Sequence, residues 1–494
     1  MKALPFILIF GLVILLSLLI FSMDGRILHI DDAWLGEHAY FLSKLGYVKS
    51  NLMEGITLQE VRVLCHHKLF TLEGAWVIDY LGFKMNFLKA ISFIFLLIFV
   101  LVSYGYLSRL LSRNGLLLFY FLLFACPLVI EYSFVYRPEI QLMTLGFAQF
   151  LLLKKIFQGE KSHNISSFGS GLLAGLAFAT HLNGVIFFLS ALVLILGSRI
   201  FSCFFIYLTG FALTGSVYFF DYRSLDDIQF FIYQVSQSPL IERSEIYNPL
   251  NLLQQVLDEH LRFFHGHTEI ALSAIFILSL IILGSELKKH RFTLHYLLLS
   301  VLFLALFSAN KTNKYLLLFL PYMLIFIVLA FEKIYRTSPE AATGKIGIFK
   351  AIMGLFILVQ FGFGIMELNY FISRKNHDLR FAKVNRRIFR DEKSSCRIVA
   401  PMEFIFFGME KFAKIQSELL YTELKKSNPS IYGEGFLKKT KDYSMDYIMV
   451  SDAYIDQLGL RKISAENYLK LGFRQIYESD NILIFKNMES ECAR

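Results

Sequence analysis

Leu4–Ser22 reads LPFILIFGLVILLSLLIFS, an unbroken apolar run with one lysine before it and Asp24 just after it. A helix of about 20 apolar residues crosses a lipid core of roughly 30 Å. The run leaves through Phe21-Ser22-Met23-Asp24, which has no small-x-small cleavage site. The sequence therefore predicts a retained first membrane helix and not a removed signal peptide. Ten more apolar runs follow, at about Leu88–Leu107, Gly115–Ile130, Ile140–Leu153, Phe168–Thr180, Gly184–Gly197, Ile200–Phe220, Ile270–Gly284, Leu294–Ala309, Tyr315–Phe331 and Ile346–Met366. Together they predict an all-α polytopic membrane protein of about eleven transmembrane helices. The two runs flanking His181 are short. They predict broken or tilted helices, with Asn183-Gly184 releasing the backbone beside a cavity.

Composition agrees with this reading. Of 494 residues, 55% are hydrophobic and 18% charged, and Phe alone counts 52. Soluble domains carry roughly a quarter charged residues, so a soluble enzyme, a disordered chain, a coiled coil and a small disulfide scaffold are excluded. The net charge of +9 comes from 49 basic and 40 acidic residues. It lies mostly in short connectors and forms no basic stripe with interleaved aromatics, so no nucleic-acid partner is expected. Arg109/Arg113, Lys154/Lys155/Lys161, Arg199, Lys288/Lys289/Arg291 and Lys333/Arg336/Lys345 fall on one side. The opposite short connectors hold little beyond Arg137, Lys311 and Lys314. The positive-inside rule then puts the N-terminus in the cytoplasm of a multi-pass plasma (inner) membrane protein. Outer loops 24–86 and 221–269, and all that follows Glu367, fall outside.

Residues 1–368 thus form a transmembrane domain, and 369–494 a small extracytoplasmic α/β domain. In the latter, Arg397–Ala400 and Asp446–Ser451 read as strands, Glu466–Leu471 as a short helix begun by Ser464 and stopped by Gly472, and Arg474–Glu478 with Ile482–Lys486 as a hairpin about Asp480-Asn481. Cys126 and Cys203 sit in apolar runs and read as packing residues. Cys65, Cys396 and Cys492 lie in polar segments and leave room for one disulfide; no spacing suggests a metal knuckle.

Five polar spots interrupt this pattern. The first is Asp31-Asp32-Ala33-Trp34, directly after the first run and at the head of an amphipathic helix pattern. One reading is helix capping. The other is a general base whose pKa rises near the low-dielectric boundary; only one of the pair can serve, since adjacent residues point apart. The second is Arg137-Pro138-Glu139, where Pro138 suits a first helical turn and Glu139 the helix dipole. Arg137 can fork onto a phosphate or snorkel to headgroups. The third is His181, at the break between the short runs, lining a site or ending a helix. The fourth is Lys311 and Lys314, next to Tyr315, which can neutralise a phosphate or anchor a helix end. The fifth is His66-His67, which as neighbours do not chelate one metal from a single helix face. Gly171-Leu172-Leu173-Ala174-Gly175 reads as a helix-packing stripe. No P-loop or Rossmann fingerprint appears, so ATP and NAD chemistry are not expected.

Taken in order, these elements resemble the C-type glycosyltransferase superfamily. More narrowly, they are similar to the polyprenyl-phosphate-sugar-dependent enzymes related to protein O-mannosyltransferases and lipid A aminoarabinose transferases (glycosyltransferase family 39). The resemblance rests on Asp31-Asp32-Ala33-Trp34, Leu81-Gly82-Phe83, Arg137-Pro138-Glu139, Gly171 to His181 and Lys314-Tyr315-Leu316-Leu317. It implies an inverting membrane glycosyltransferase. The sugar donor would be a polyprenyl phosphate, and the acceptor a lipid, glycan or protein outside the cytoplasm. It further implies Asp31 or Asp32 as base, Glu139 as second catalytic carboxylate, and Arg137, His181, Lys311, Lys314 and Tyr315 at the donor phosphate. It fixes no cofactor: some members use a divalent metal and others do not, and the carboxylates are compatible with one. One departure stands out: His67 is followed by Lys68-Leu69 where many relatives have two prolines. A transporter or flippase, or a polymerase or ligase, of lipid-linked sugars is the competing reading.

Overall fold

The computed structural model describes residues 4–490 and 492, apart from 159–162, 238–248, 309, 337–344, 377–378, 391–394 and 480. Lys161, the Ala309 end of the ninth run and Asp480 lie outside the described residues.

Within the described residues, the apolar runs fall mostly on helix. The elements are α1 (Leu4–Met23), α2 (Ile30–Leu45), α3 (Lys68–Leu81), α4 (Met85–Leu110), α5 (Arg113–Ala125), α6 (Pro127–Tyr132), α7 (Glu139–Phe157), α8 (His163–Thr180), α9 (Val185–Gly197) and α10 (Phe201–Gly215). The polar α11 (Leu225–Gln237), α12 (Pro249–Leu257) and α13 (His260–Phe263) follow. The membrane part ends with α14 (His267–Leu283), α15 (Arg291–Phe307), α16 (Leu320–Arg336) and α17 (Lys345–Ser373). Among the described residues, six helical segments are long and apolar enough to cross a bilayer: Pro5–Met23, Met85–Leu110, Glu139–Phe157, Phe201–Phe219, His267–Phe307 and Gly347–Ser373. Arg113–Ala125 and Leu182–Gly197 are shorter apolar helices.

Two runs differ from expectation at their ends. Gly115–Ile130 is not one helix: α5 stops at Ala125 and α6 starts at Pro127. Proline has no N–H to donate and its ring clashes with the preceding turn. The tenth run opens as a 3-10 segment over Asn313–Leu318, and α16 begins only at Leu320, with Pro321 in its first turn. The break at Asn183-Gly184 is present as a 3-10 turn, Leu182–Gly184. The small-residue stripe packs helices as expected: a side chain on Gly171 would strike the Tyr207 carbonyl, and one on Gly175 the backbone at Gly215. α8 and α10 approach that closely because neither carries a side chain there.

The C-terminal part holds a five-stranded sheet in the order β2-β1-β3-β5-β4. Its strands are β1 (Arg397–Ala400), β2 (Lys414–Ser417), β3 (Tyr447–Ser451), β4 (Phe473–Ser479) and β5 (Ile482–Asn487). β1 pairs parallel with β2 and β3, and β5 antiparallel with β3 and β4. The expected short helix is present over Ala465–Lys470 with Ser464 as its cap. A disulfide joins Cys396 to Cys492, a separation of 96 residues.

This domain rests on the element that opens the candidate site. Ala33 of α2, with Leu52, Met53 and Ile56, belongs to the same buried cluster as the sheet. Phe406 lies against Gly36 and stacks on Phe83 at 4.9 Å between ring centres. Lys414 pairs with Glu54 at 2.7 Å, and the Ser417 amide donates to the Leu52 carbonyl at 3.1 Å.

The disulfide closes a loop long enough to matter. Cys396→Ala/Cys492→Ala is expected to cost the domain about 2–4 kcal/mol, read as a lower melting temperature of the purified protein. An unchanged melt with and without reductant would contradict this.

Candidate active site

The first acidic spot divides into two roles. His29 caps α2, its Nδ1 accepting from the Asp31 amide at 3.1 Å while Asp32 accepts from the His29 amide at 2.7 Å. This is the capping box at the start of a helix. Asp32 is fully buried, its second oxygen accepts from the Tyr136 amide at 2.6 Å, and Lys89 of α4 lies 3.2 Å away, also fully buried. Lys89 in turn donates to the Ile27 carbonyl at 2.9 Å. Asp32 is therefore a joint that ties α2, α4 and the segment before α7 together. Its oxygens are committed and the side chain is fully buried.

Asp31 faces the other way. It is 25% exposed, ion-pairs with Arg137 and lies 3.3 Å from His29. Arg137 forks back onto Glu139, with Nη2 at 2.7 Å and Nε at 3.1 Å. Glu139 is fully buried and Arg137 nearly so. The turn that holds them is fixed by Ser92 of α4, which donates to the carbonyls of Val135 and Arg137 at 2.6 and 3.0 Å. Proline at 138 then starts α7 at Glu139. One guanidinium thus bridges two carboxylates, one sealed and one facing out.

His181 reaches the same cluster from the broken α8–α9 turn. Its Nδ1 accepts from the Asn183 amide at 2.9 Å, so the ring proton sits on Nε2, 3.2 Å from the Tyr315 hydroxyl. Burial holds this histidine well below its usual pKa, hence neutral. Lys314 lies 5.5 Å over the Tyr315 ring, and burial, reinforced by Arg137, pushes its ammonium down to about 8. Lys311 does not join them. It pairs with Glu259 at 3.0 Å and caps α15 through the carbonyls of Ala305 and Ser308.

Sequence reasoning left His66 and His67 without a role. His67 stacks on His181 at 4.4 Å between ring centres, and burial lowers its pKa to about 4. It is presented by a clamp on its neighbours. Asp221, from the second loop, takes His66 Nε2 at 3.1 Å and Lys68 Nζ at 2.8 Å. Arg62 adds a contact to the Asp221 carbonyl and pairs with Asp227 at 2.9 Å. A lysine heading an apolar helix pattern, which needs a counter-ion wherever that helix packs, was the available signal.

Beside Asp31 opens a cavity of about 490 Å³, lined by His29, Glu131, Glu367, Tyr370 and Glu403 among others. An apolar groove of about 500 Å³, lined by Trp76, Tyr80, Leu81, Ile91 and Phe95, runs between α3 and α4. Among the described residues, the one group with metal-ligand spacing is Cys396, Asp446 and Cys492; its two sulfurs are joined to each other, so it offers no thiolate.

No family model matches the chain, and no curated protein matches it in sequence. Solved structures do match in fold. ArnT from Cupriavidus metallidurans in the apo state aligns with a TM-score of 0.64 at 12% identity, over 99% of this chain and 98% of that one. ArnT bound to undecaprenyl phosphate aligns at 0.60 and 12%, over 98% of each chain. The Archaeoglobus fulgidus oligosaccharyltransferase in the apo form aligns at 0.55 and 11%, over 99% of this chain and 75% of that one. With its apolar helices and small terminal sheet, the chain has the fold of these solved structures.

Proposed function

We propose that this protein is an inverting membrane glycosyltransferase, moving a sugar from a polyprenyl-phosphate carrier to an acceptor hydroxyl outside the cytoplasm. The observation that carries the reading is the convergence of Asp31, Arg137, Glu139, His67, His181, Lys314 and Tyr315 at one end of an apolar bundle. The ArnT structure with undecaprenyl phosphate supports a lipid phosphate as the carrier. The side assignment rests on the basic connectors. The Cys396–Cys492 disulfide supports it, since such bonds persist in oxidising compartments.

The donor phosphate binds Arg137, Lys314 and the Nε2–H of His181, and its isoprenoid tail lies in the apolar groove between α3 and α4. Phosphate competes with Asp31 for the guanidinium, and the freed Asp31 carboxylate turns to the cavity beside His29. There it takes the proton of the acceptor hydroxyl. The acceptor oxygen bonds to the anomeric carbon from the face opposite the phosphate. The bond from that carbon to the phosphate oxygen breaks, and its electron pair leaves with the phosphate. Arg137 and Lys314, already in position, stabilise that charge. Glu139 holds Arg137 in place throughout. The acceptor can be lipid, glycan or protein.

The test is turnover by the purified protein in liposomes charged with polyprenyl-phosphate sugars from the source envelope. Mass spectrometry should find free polyprenyl phosphate and an acceptor heavier by one sugar. Movement of intact donor across the bilayer without cleavage would favour a flippase. Lys314 gives a pH prediction. Its charge is present below about 8 and lost above, so donor binding should weaken as pH rises through that value. Lys314→Arg should remove this alkaline loss; an unchanged pH profile in that variant would take Lys314 out of the phosphate site.

A further inference from the structure

The opposite end of the bundle carries a cavity that sugar transfer does not use. α4 starts at Met85 and α7 at Glu139, both near the candidate site, and they finish at Leu110 and Phe157. At ~1.5 Å per residue, the length of α7 sets these two ends roughly 28 Å apart. Where the helices finish, a cavity of about 420 Å³ is lined by Gly105, Tyr106, Arg109, Lys154, Lys155 and Gln158, with leucines at its wall.

Among the described residues, three cations face this space and no carboxylate lines it. Among the described residues, none of the three pairs with an acid. The Lys154 ammonium touches the Tyr106 hydroxyl and lies 4.5 Å over its ring. Cations in the last turn of a helix complement its dipole. Each of the two helix ends presents about half a negative charge, so three full positive charges leave roughly two uncompensated. On the lipid side of α4, Leu97, Leu101 and Tyr104 are exposed.

We propose that this cavity holds the phosphodiester headgroup of an anionic phospholipid, with its acyl chains lying along that face of α4. The phosphate meets Arg109 and Lys155 at the open side, and the half-buried Lys154 and Tyr106 close the site behind it. Basic pockets between membrane helices at the headgroup level have this preference. A free phosphate ion shares the headgroup's chemistry but not its chains, and the experiment separates the two.

Native mass spectrometry of the detergent-solubilised full chain would compare phosphatidylglycerol, phosphatidylethanolamine and inorganic phosphate. Two variants accompany the wild type. Arg109→Gln/Lys154→Gln/Lys155→Gln removes the charge. Gly105→Leu fills the cavity while leaving every charge, and a Cβ at Gly105 meets nothing within 4 Å. The wild type should retain phosphatidylglycerol about tenfold more tightly than phosphatidylethanolamine, and both variants should lose that preference. Equal retention of the two lipids overturns the proposal, as does saturation by inorganic phosphate without any lipid preference. A preference that survives Gly105→Leu puts the lipid outside the cavity and overturns it too.

Discussion

Asp31→Asn should cut transfer sharply while leaving the fold intact and donor binding at least as tight as in the wild type. The side chain is partly exposed and ends against Arg137; the amide keeps its shape but gives up the basic oxygen and the charge that competes with phosphate for the guanidinium. Removing a positioned general base costs about 10²–10⁴ in rate. Asp32→Asn should behave differently, because Asp32 is fully buried and pairs with the equally buried Lys89. Breaking such a pair leaves an uncompensated buried ammonium and costs about 3–5 kcal/mol. A melting curve and a transfer assay on the two variants separate these effects. Normal transfer by Asp31→Asn in a folded protein would remove it as the base.

Arg137→Ala should damage both stability and donor binding. Glu139 is fully buried and takes both Nε and Nη2 of this side chain. Without it, an unpaired carboxylate remains inside, again at a cost of about 3–5 kcal/mol. The double variant Arg137→Ala/Glu139→Gln should recover most of that stability, since the orphaned charge is gone. It should not recover binding of polyprenyl phosphate. Lipid-binding measurements on the double variant therefore isolate the phosphate role from the structural one. Donor affinity that returns with stability would make Arg137 an anchor only.

Much of this architecture is written locally. Apolar runs mark the helices because length and hydropathy are properties of contiguous residues. Ser464, Gly472 and the short apolar run Ile482–Phe485 mark caps and strands for the same reason. Pro127 was a local signal too, and it splits the third run as its chemistry requires. β2 was not legible, because Lys414–Ser417 is four residues with a charge and two polar groups and no alternation to read. The candidate site divides along the same line. Arg137-Pro138-Glu139 and the His181 break could be found in sequence. Which aspartate is sealed could not, because Asp32 is decided by Lys89 and the Tyr136 amide, both far along the chain. Likewise Lys311 and Lys314 look alike in sequence; Glu259, on another element, claims the first. His67 enters the cluster only because Asp221, from a distant loop, grips its neighbours.

The most direct check is a cryo-electron-microscopy map of the protein in nanodiscs with undecaprenyl phosphate added. The account predicts phosphate density in contact with Arg137 and Lys314, the Asp31 carboxylate swung off the guanidinium, and lipid density leading into the groove beside Trp76. Phosphate bound elsewhere, with the Asp31–Arg137 pair still closed, would contradict it.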